Sequence, residues 1–399
     1  MPALSRPVLL MNSPSDSIEL LEQLRAAPQL LEAIAASTLN EFKLQAELRL
    51  KYPAELVVAA LQLHQARVRA AEKFSRGREM WVTRQGVEQS TAEAVARYKA
   101  QRFEGLAAVL DLCCGIGGDA IALASVLPRV EAFDLSPAAC WRTARNAELD
   151  GVGERINTFP EEVTQLDLTG KHVHLDPDRR SGPQRSIRLE GYEPPLPFLQ
   201  QLTRTAAGGA IKLSPASNFG GKFSDCELEL ISFDHECKEA VVWFGDRRQS
   251  DPFRATVLPS GESLSGDPFL ARGEQGELGE YLYDPDPAVV RAGLVDLLAE
   301  RTGLWRLDAA EEYLSQNVLL TTQLARPFRV LAEFPYDEST LRAALRLADV
   351  GELEIKCRHT AVPIEQLRKR LKLSGTQRRV LLIARIAGKT RAVLAQRVP

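Results

Sequence analysis

One short run of the chain concentrates residues able to hold a nucleoside: Val109-Leu-Asp-Leu-Cys-Cys-Gly-Ile-Gly-Gly-Asp119. Its apolar start reads as a strand, Asp111 as a fixed negative acceptor at the strand end, and Gly115, Gly117 and Gly118 as a sharp turn into a helix. Glycines there let a ligand lie against main-chain atoms that a Cβ would obstruct. A second strand signal, Val130-Glu-Ala-Phe-Asp134, ends in another acid, at about the 20-residue interval that suits recognition of ribose hydroxyls. Two carboxylates at neighbouring strand ends would cradle a nucleoside, although either acid could instead cap a helix or face solvent.

Two cofactors compete for this motif. Gly115-Ile-Gly-Gly-Asp-Ala120 satisfies the dinucleotide fingerprint G-x-G-x-x-A, which would mean NAD. Asp111 argues the other way, because a carboxylate beside the turn repels a pyrophosphate but attracts the sulfonium and amino groups of S-adenosylmethionine. The expected cofactor is therefore S-adenosylmethionine, with NAD as the alternative.

The elements needed to position these acids are legible around them. Apolar residues recur at three and four residue spacing from Ile18 to Ala35 and from Ala54 to Phe74, which predicts a helical opening with Pro28 and Pro53 near helix starts. Ser90-Thr-Ala-Glu93 has the pattern of a capping box before a helix at Ala94 to Phe103. Strands are expected at Ala107 to Leu112, Val130 to Phe133, Arg155 to Phe159, His172 to Leu175 and Gly209 to Leu213. Helices at Asp119 to Val126 and Ala138 to Asp150 alternate with them, as in a mostly parallel sheet. Glu227 to Ser232 and Ala240 to Phe244 are close enough to pair antiparallel. A Gly- and Pro-rich stretch, Leu258 to Pro287, reads as a connection, followed by a helix from Ala288 to Arg301. The fold class is α/β: a Rossmann-like sheet over 106–257 behind a helical region at 1–105, a connector at 258–327 and a small α+β domain at 328–399.

At 399 residues, 45% apolar and 26% charged, the composition is that of a globular protein of several domains. No apolar run reaches the roughly 20 residues that span a bilayer. The first residues lack the pattern of an export signal, and the six cysteines form no metal-ligand or disulfide spacing, so a cytoplasmic, metal-free protein is expected. The net charge of −3 hides an asymmetry: from Glu354 onward twelve Lys and Arg face only Glu354 and Glu365. Such a cluster fits either a nucleic-acid-binding module or a solvated basic face.

The motif from Asp111 to Gly117, with Asp134, resembles that of class I S-adenosylmethionine methyltransferases. Cys113 replaces the commoner glycine, and a similar Cys-Gly-x-Gly-Gly turn occurs in the trimethylguanosine synthase branch, to which the core is distantly similar. The resemblance implies a Rossmann-like fold, a cofactor held by Asp111, Cys113, Gly115, Gly117, Gly118 and Asp134, and an acid for the adenine end at Glu162, with Glu161 as fallback. At His174-Leu-Asp-Pro-Asp-Arg-Arg180 amino-methylating members carry an acid or Asn, two prolines and an aromatic. Asp176 and Pro177 fit that pattern and become the candidate catalytic residues, or else a turn ending the strand. Asp178 and Arg179 depart from it, so the base-stacking aromatic is missing from its usual place.

Lys212-Leu-Ser-Pro-Ala-Ser-Asn218 lacks the cysteine nucleophile of the 5-methyluridine enzymes, which favours direct transfer to a nitrogen. Trp81 stands near where the trimethylguanosine synthase branch places an aromatic that holds guanine, and would do the same or pack in the core. Arg179 and Arg180, with Arg185 and Arg188, would meet substrate phosphates or surface acids. Leu353-Glu-Ile-Lys-Cys-Arg358 and Pro363 to Gly375 resemble the THUMP-like domain of bacterial methyltransferases, which implies RNA as partner. Arg368, Lys369 and Lys372 would then dock it, from a helix whose Leu367 and Leu371 pack inward. The reading is thus an RNA-base methyltransferase acting on tRNA or rRNA. Its alternatives are a non-catalytic cofactor- and RNA-binding protein, or a methyltransferase for protein or small molecules.

Overall fold

The computed structural model describes residues 17–178, 188–358 and 362–398, which divide into two compact units. The first begins with helices α1 (Ile18–Arg25), α2 (Pro28–Ala36), α3 (Glu41–Leu48), α4 (Ala54–Ala70), α5 (Arg84–Gln89) and α6 (Glu93–Gln101). Side-chain caps from Ser17, Asn40 and Thr83 satisfy exposed N–H groups at the starts of α1, α3 and α5. Leu24, Leu30, Ile34, Leu44, Leu48, Leu56 and Val57 bury one face of this bundle. Leu63, Ala66, Phe74, Met80 and Val87 pack with Ile116 of the glycine-rich turn, so the helices brace the turn itself.

The capping box at Ser90 to Glu93 does not form. Ala92, whose methyl offers no acceptor, is the N-cap of α6, while Ser90 C-caps α5 and donates its hydroxyl to the Val87 carbonyl at 3.0 Å; buried Thr91 donates its own to Asp119 Oδ2 at 2.6 Å. The Glu93 carboxylate accepts instead from the Ser75 N–H.

The α/β layer follows: β1 (Val109–Leu112), α7 (Gly118–Val126), β2 (Val130–Phe133), α8 (Pro137–Leu149), β3 (Ile156–Phe159), β4 (His172–Leu175), α9 (Leu196–Thr205) and β5 (Gly208–Leu213). These five strands are parallel in the order β3-β2-β1-β4-β5. The order reverses between β1 and β4, and a crevice at the carboxyl ends of strands flanking such a reversal is the general ligand position of open α/β sheets. Register places Asp111 directly across from His174.

The second unit opens with β6 (Glu227–Phe233), β7 (Glu236–Gly245, its last two residues in the first unit), β8 (Phe253–Leu258) and β9 (Glu262–Gly266). β6 and β7 pair antiparallel as expected, through a turn in which Asp234 and His235 both take positive φ. The stretch expected as a connector is instead rich in strands. β9 and β10 (Tyr281–Pro285) lie within it, and the helix expected at Ala288 to Arg301 is two, α10 (Pro287–Arg291) and α11 (Val295–Thr302). Gly293, at φ 74°, separates them in a conformation a helix cannot continue through.

The remainder is β11 (Trp305–Arg306), β12 (Leu314–Gln316), β13 (Ala325–Pro335), α12 (Glu338–Leu347), β14 (Val350–Cys357), α13 (Ile364–Leu371), β15 (Gln377–Ile386) and β16 (Lys389–Arg397). With β10 these strands form a seven-stranded sheet ordered β11-β12-β10-β13-β16-β15-β14. β15 is buried on both faces. Leu381 and Ile383 meet Leu341, Leu345, Leu367 and Leu371 of α12 and α13, while Val380 and Leu382 meet Leu282, Tyr313 and Phe328.

Candidate active site

A cavity of about 1490 Å³ opens in the first unit, walled by α4 and α5, the glycine-rich turn, and the residues that follow β2, β3 and β4. Single-ligand pockets run to roughly 1,000 Å³, so this one has room for a second ligand. Asp111, Cys113, Gly115, Gly118, Asp134, Glu162, Asp176, Pro177 and Trp81 all line it. The fold has therefore gathered nine of the expected site residues.

The turn uses left-handed conformations that two of its glycines accept freely and that Cys113 is held in. Cys113, Gly115 and Gly117 all have positive φ. Gly117 is not at the cavity wall: it N-caps α7, and a Cβ there would fall 3.1 Å from Thr143 of α8. Asp134 fastens the turn, accepting from the Gly115 N–H at 3.0 Å through Oδ2 and from the Ser136 N–H at 2.9 Å through Oδ1. Both oxygens keep further acceptor capacity for hydroxyls. The Cys113 thiol is held protonated, pushed well up by burial and by Asp134, Asp176, Asp111 and Asp178.

Beneath the turn lies an ion cluster that sequence reasoning missed. Asp111 is 1% exposed; its Oδ1 meets His174 Nδ1 at 2.7 Å, while Oδ2 is buried without a hydrogen-bond partner. On the far side of the imidazole, Nε2 lies 3.5 Å from Lys99 Nζ and 3.7 Å from Asp119 Oδ1, and Lys99 pairs with Asp119 at 2.9 Å. Burial pushes the Asp119 carboxyl up, but Lys99, His174 and Lys212 hold it well below the usual carboxylate range. Burial would lower the His174 pKa, yet Asp119 and Asp111 outweigh it and raise it. The visible signal was a histidine two residues before Asp176, in the four-residue strand His172-Val-His-Leu175.

The second missed group is Lys212. Its ammonium sits 2.6 Å from Asp176 Oδ2 and donates to the Gln89 carbonyl at 2.9 Å. Burial raises the Asp176 carboxyl and Lys212 opposes it. Asp178 accepts from Gln89 Nε2 at 2.9 Å and pairs through its main chain with Glu193. Trp81 is half-buried, edge-on to Trp141 at 5.0 Å, with Arg67 5.4 Å from its ring. Glu162 is exposed and accepts from Thr164 and Gln165. Arg179, Arg180 and Arg185 lie outside the described residues. Arg368, Lys369 and Lys372 belong to the second unit: the first two are on α13 and Lys372 is its left-handed C-cap.

Known proteins supply an independent measure. Residues 106–182 match the family model of the RNA cap guanine-N2 methyltransferases, and 325–397 match that of the THUMP domain-like family. An uncharacterized S-adenosylmethionine-dependent methyltransferase of Mycobacterium tuberculosis, present in strains CDC 1551 and H37Rv, is 34% identical over 321 residues. The alignment covers 78% of this chain and 86% of that protein. The chain belongs to the S-adenosylmethionine-dependent methyltransferases. A provisionally assigned methyltransferase from Porphyromonas gingivalis W83 shares the fold, with a TM-score of 0.77 at 20% identity over 96% of this chain and 98% of that one. A Streptomyces pristinaespiralis enzyme, 4-amino-L-phenylalanine/4-methylamino-L-phenylalanine methyltransferase, is 32% identical over 35% of this chain and 54% of its own.

S-adenosylmethionine is accordingly the methyl donor, and the cavity fits it. The buried, unpartnered Asp111 Oδ2 suits a cation, and Asp134 retains lone pairs for ribose hydroxyls. A Cβ built on Gly115 would meet nothing within 4 Å, which leaves main chain exposed on the cavity side. A pyrophosphate would bring negative charge to an acceptor that already lacks a donor.

Proposed function

We propose that this methyltransferase transfers the methyl group directly to a nitrogen of a base in RNA, either tRNA or rRNA. The observation that carries the reading is Asp176, at the end of β4 on the cavity wall and paired with the Lys212 ammonium at 2.6 Å. A carboxylate there accepts a hydrogen bond from an amine and takes its proton as the nitrogen attacks. Bound S-adenosylmethionine supplies an electrophilic methyl on a sulfonium leaving group. The protein's contribution is alignment and charge: Asp111 and Asp134 would hold the cofactor's amino and ribose ends and Glu162 its adenine, while Pro177 lines the wall beside Asp176. The protonated Cys113 thiol supports direct transfer over a covalent route.

RNA as substrate is supported by the matches to an RNA guanine methyltransferase family and to a THUMP-like domain, together with the basic C-terminal surface. Trp81 and the Arg179–Arg180 pair would receive the base and its phosphates, and Arg368, Lys369 and Lys372 would dock the remainder. A second reading, a small aromatic amine, is favoured by the Streptomyces relative and by the acids Asp176, Asp178 and Glu193 along the cavity. Purified enzyme with methyl-labelled cofactor is offered total RNA, protein extract and metabolites from a strain lacking the gene. Label in tRNA or rRNA is expected, and label confined to metabolites or protein overturns the RNA assignment.

A further inference from the structure

Asp111 has two carboxylate oxygens with different fates. Oδ1 is engaged by His174 Nδ1 at 2.7 Å, and Oδ2 is buried with no partner although Asp111 lines the cavity. His174 cannot choose another partner freely. Its strand register puts it opposite Asp111, it is 1% exposed, and its Nε2 faces Lys99 and Asp119. Lys99 and Asp119 are in turn fixed by each other and by Thr91. Lys99 has three protons to donate and no lone pair, so a neutral imidazole beside it accepts at Nε2 and carries its proton at Nδ1, and a charged one donates from Nδ1 as well. Either form occupies Oδ1 and leaves Oδ2 as the atom lacking a donor. An unpaired buried carboxylate oxygen is costly, and the cost is relieved when a cation arrives from the cavity.

We propose that His174 is a positioning residue for the cofactor: by holding Asp111 Oδ1 it reserves Oδ2 for the α-ammonium group of S-adenosylmethionine. The proposal rests on the reading that Asp111 and Asp134 hold the cofactor's amino and ribose ends. Lys99, Asp119 and Thr91 act one step further out, holding the imidazole in place. The cofactor is thereby recognised by its amino-acid end as well as by its nucleoside.

Three ligands and two variants at position 174, with controls at Asp111 and Asp134, test this by calorimetry, without any acceptor substrate. S-adenosylhomocysteine carries the ammonium group; 5′-methylthioadenosine has the same nucleoside and no amino-acid end. Asn at position 174 can place its amide N–H where Nδ1 stands, whereas Gln places its amide nearer Nε2. His174→Asn is expected to bind S-adenosylhomocysteine and S-adenosylmethionine within about threefold of the parent. His174→Gln is expected to lose about tenfold or more, the worth of a hydrogen bond to a charged group. Both should bind 5′-methylthioadenosine as the parent does.

Equal loss of all three ligands in His174→Gln, or no loss of any, overturns the proposal. Should Gln not fold, Asp111→Asn neutralises the receiving carboxylate isosterically and must weaken S-adenosylhomocysteine while sparing 5′-methylthioadenosine. Asp134→Ala separates the underlying reading, since it should weaken all three ligands through the shared ribose. If it weakens none, the cofactor is held elsewhere, whatever the result at position 174.

Discussion

Among single residues, Asp176 and Lys212 form the pair to which the proposed mechanism gives the proton transfer. Asp176→Ala is expected to abolish methyl transfer while leaving S-adenosylmethionine affinity within about twofold, because its loss is felt only when the acceptor nitrogen reacts. Lys212→Met should act on the same group through its protonation. Burial already raises the Asp176 carboxyl and Lys212 opposes that rise, so removing the ammonium pushes it further up. A carboxylate base works only when ionised, so if Asp176 has the proposed role the acid limb of the kcat profile should move to higher pH. An unshifted limb in a folded Lys212→Met protein would remove Lys212 from this role.

A different pair bears on stability. Lys99 and Asp119 are both buried, and truncating one partner of such a pair costs about 3–5 kcal/mol. Lys99→Met should therefore unfold at markedly lower urea concentration. The Asp119 carboxyl lies below its unfolded value, so its contribution is complete above the unfolded carboxylate range and fades as pH falls toward the folded value. Urea midpoints at pH 7 and at progressively lower pH should converge for parent and variant.

The elements show why some of this was readable and some was not. The glycine-rich turn and the acids Asp111 and Asp134 were legible because strand, acid and turn are contiguous, and local chemistry dictates them. His174 was not, because its partner is 63 residues away and the two meet only through the parallel pairing of β1 with β4. The failed capping box has a local origin instead: Ser90 ends α5 with its hydroxyl on the Val87 carbonyl, and α6 starts only after Ala92. Helix α3 went unread, its eight residues offering too short an apolar pattern. The split of α10 from α11 hung on Gly293.

Gly117 makes the case for the turn as an element. Its φ of 87° and the 3.1 Å approach of a would-be Cβ to Thr143 predict that Gly117→Ala costs about 1–3 kcal/mol. Chemical denaturation would measure it. A cost within error would mean that the turn tolerates a side chain and that its glycine serves no conformational purpose.

Across the whole chain, charge is divided more sharply than the total of −3 conveys. Residues 325–397 hold sixteen Lys and Arg against seven Asp and Glu, a net +9, which leaves −12 for the rest. Much of the positive charge is already engaged. Lys356 and Arg358 pair with Asp284, Arg370 with Glu338, Arg385 with Asp308, Arg391 with Glu333 and Arg397 with Glu354. Arg368 and Lys369 are exposed on α13, Arg368 with a 3.9 Å approach to Glu365. Reversing Arg368, Lys369 and Lys372 to Glu should therefore weaken RNA binding and flatten its salt dependence by roughly one unit of slope per lost phosphate contact. Reversal should leave S-adenosylhomocysteine affinity unchanged. Equal salt slopes for parent and variant would remove α13 from the docking surface.

Asp134 spans two loops at once, tying the glycine-rich turn after β1 to the start of α8 after β2. A floor stapled in this way before any ligand arrives has a kinetic signature. Binding needs no slow rearrangement, so the observed rate of S-adenosylhomocysteine association should rise linearly with ligand concentration, with a second-order constant within the ordinary range of about 10⁵–10⁷ M⁻¹s⁻¹. Trp81 on the cavity wall supplies the fluorescence signal for a stopped-flow record. A rate that saturates at high ligand would reveal an opening step that this staple does not allow.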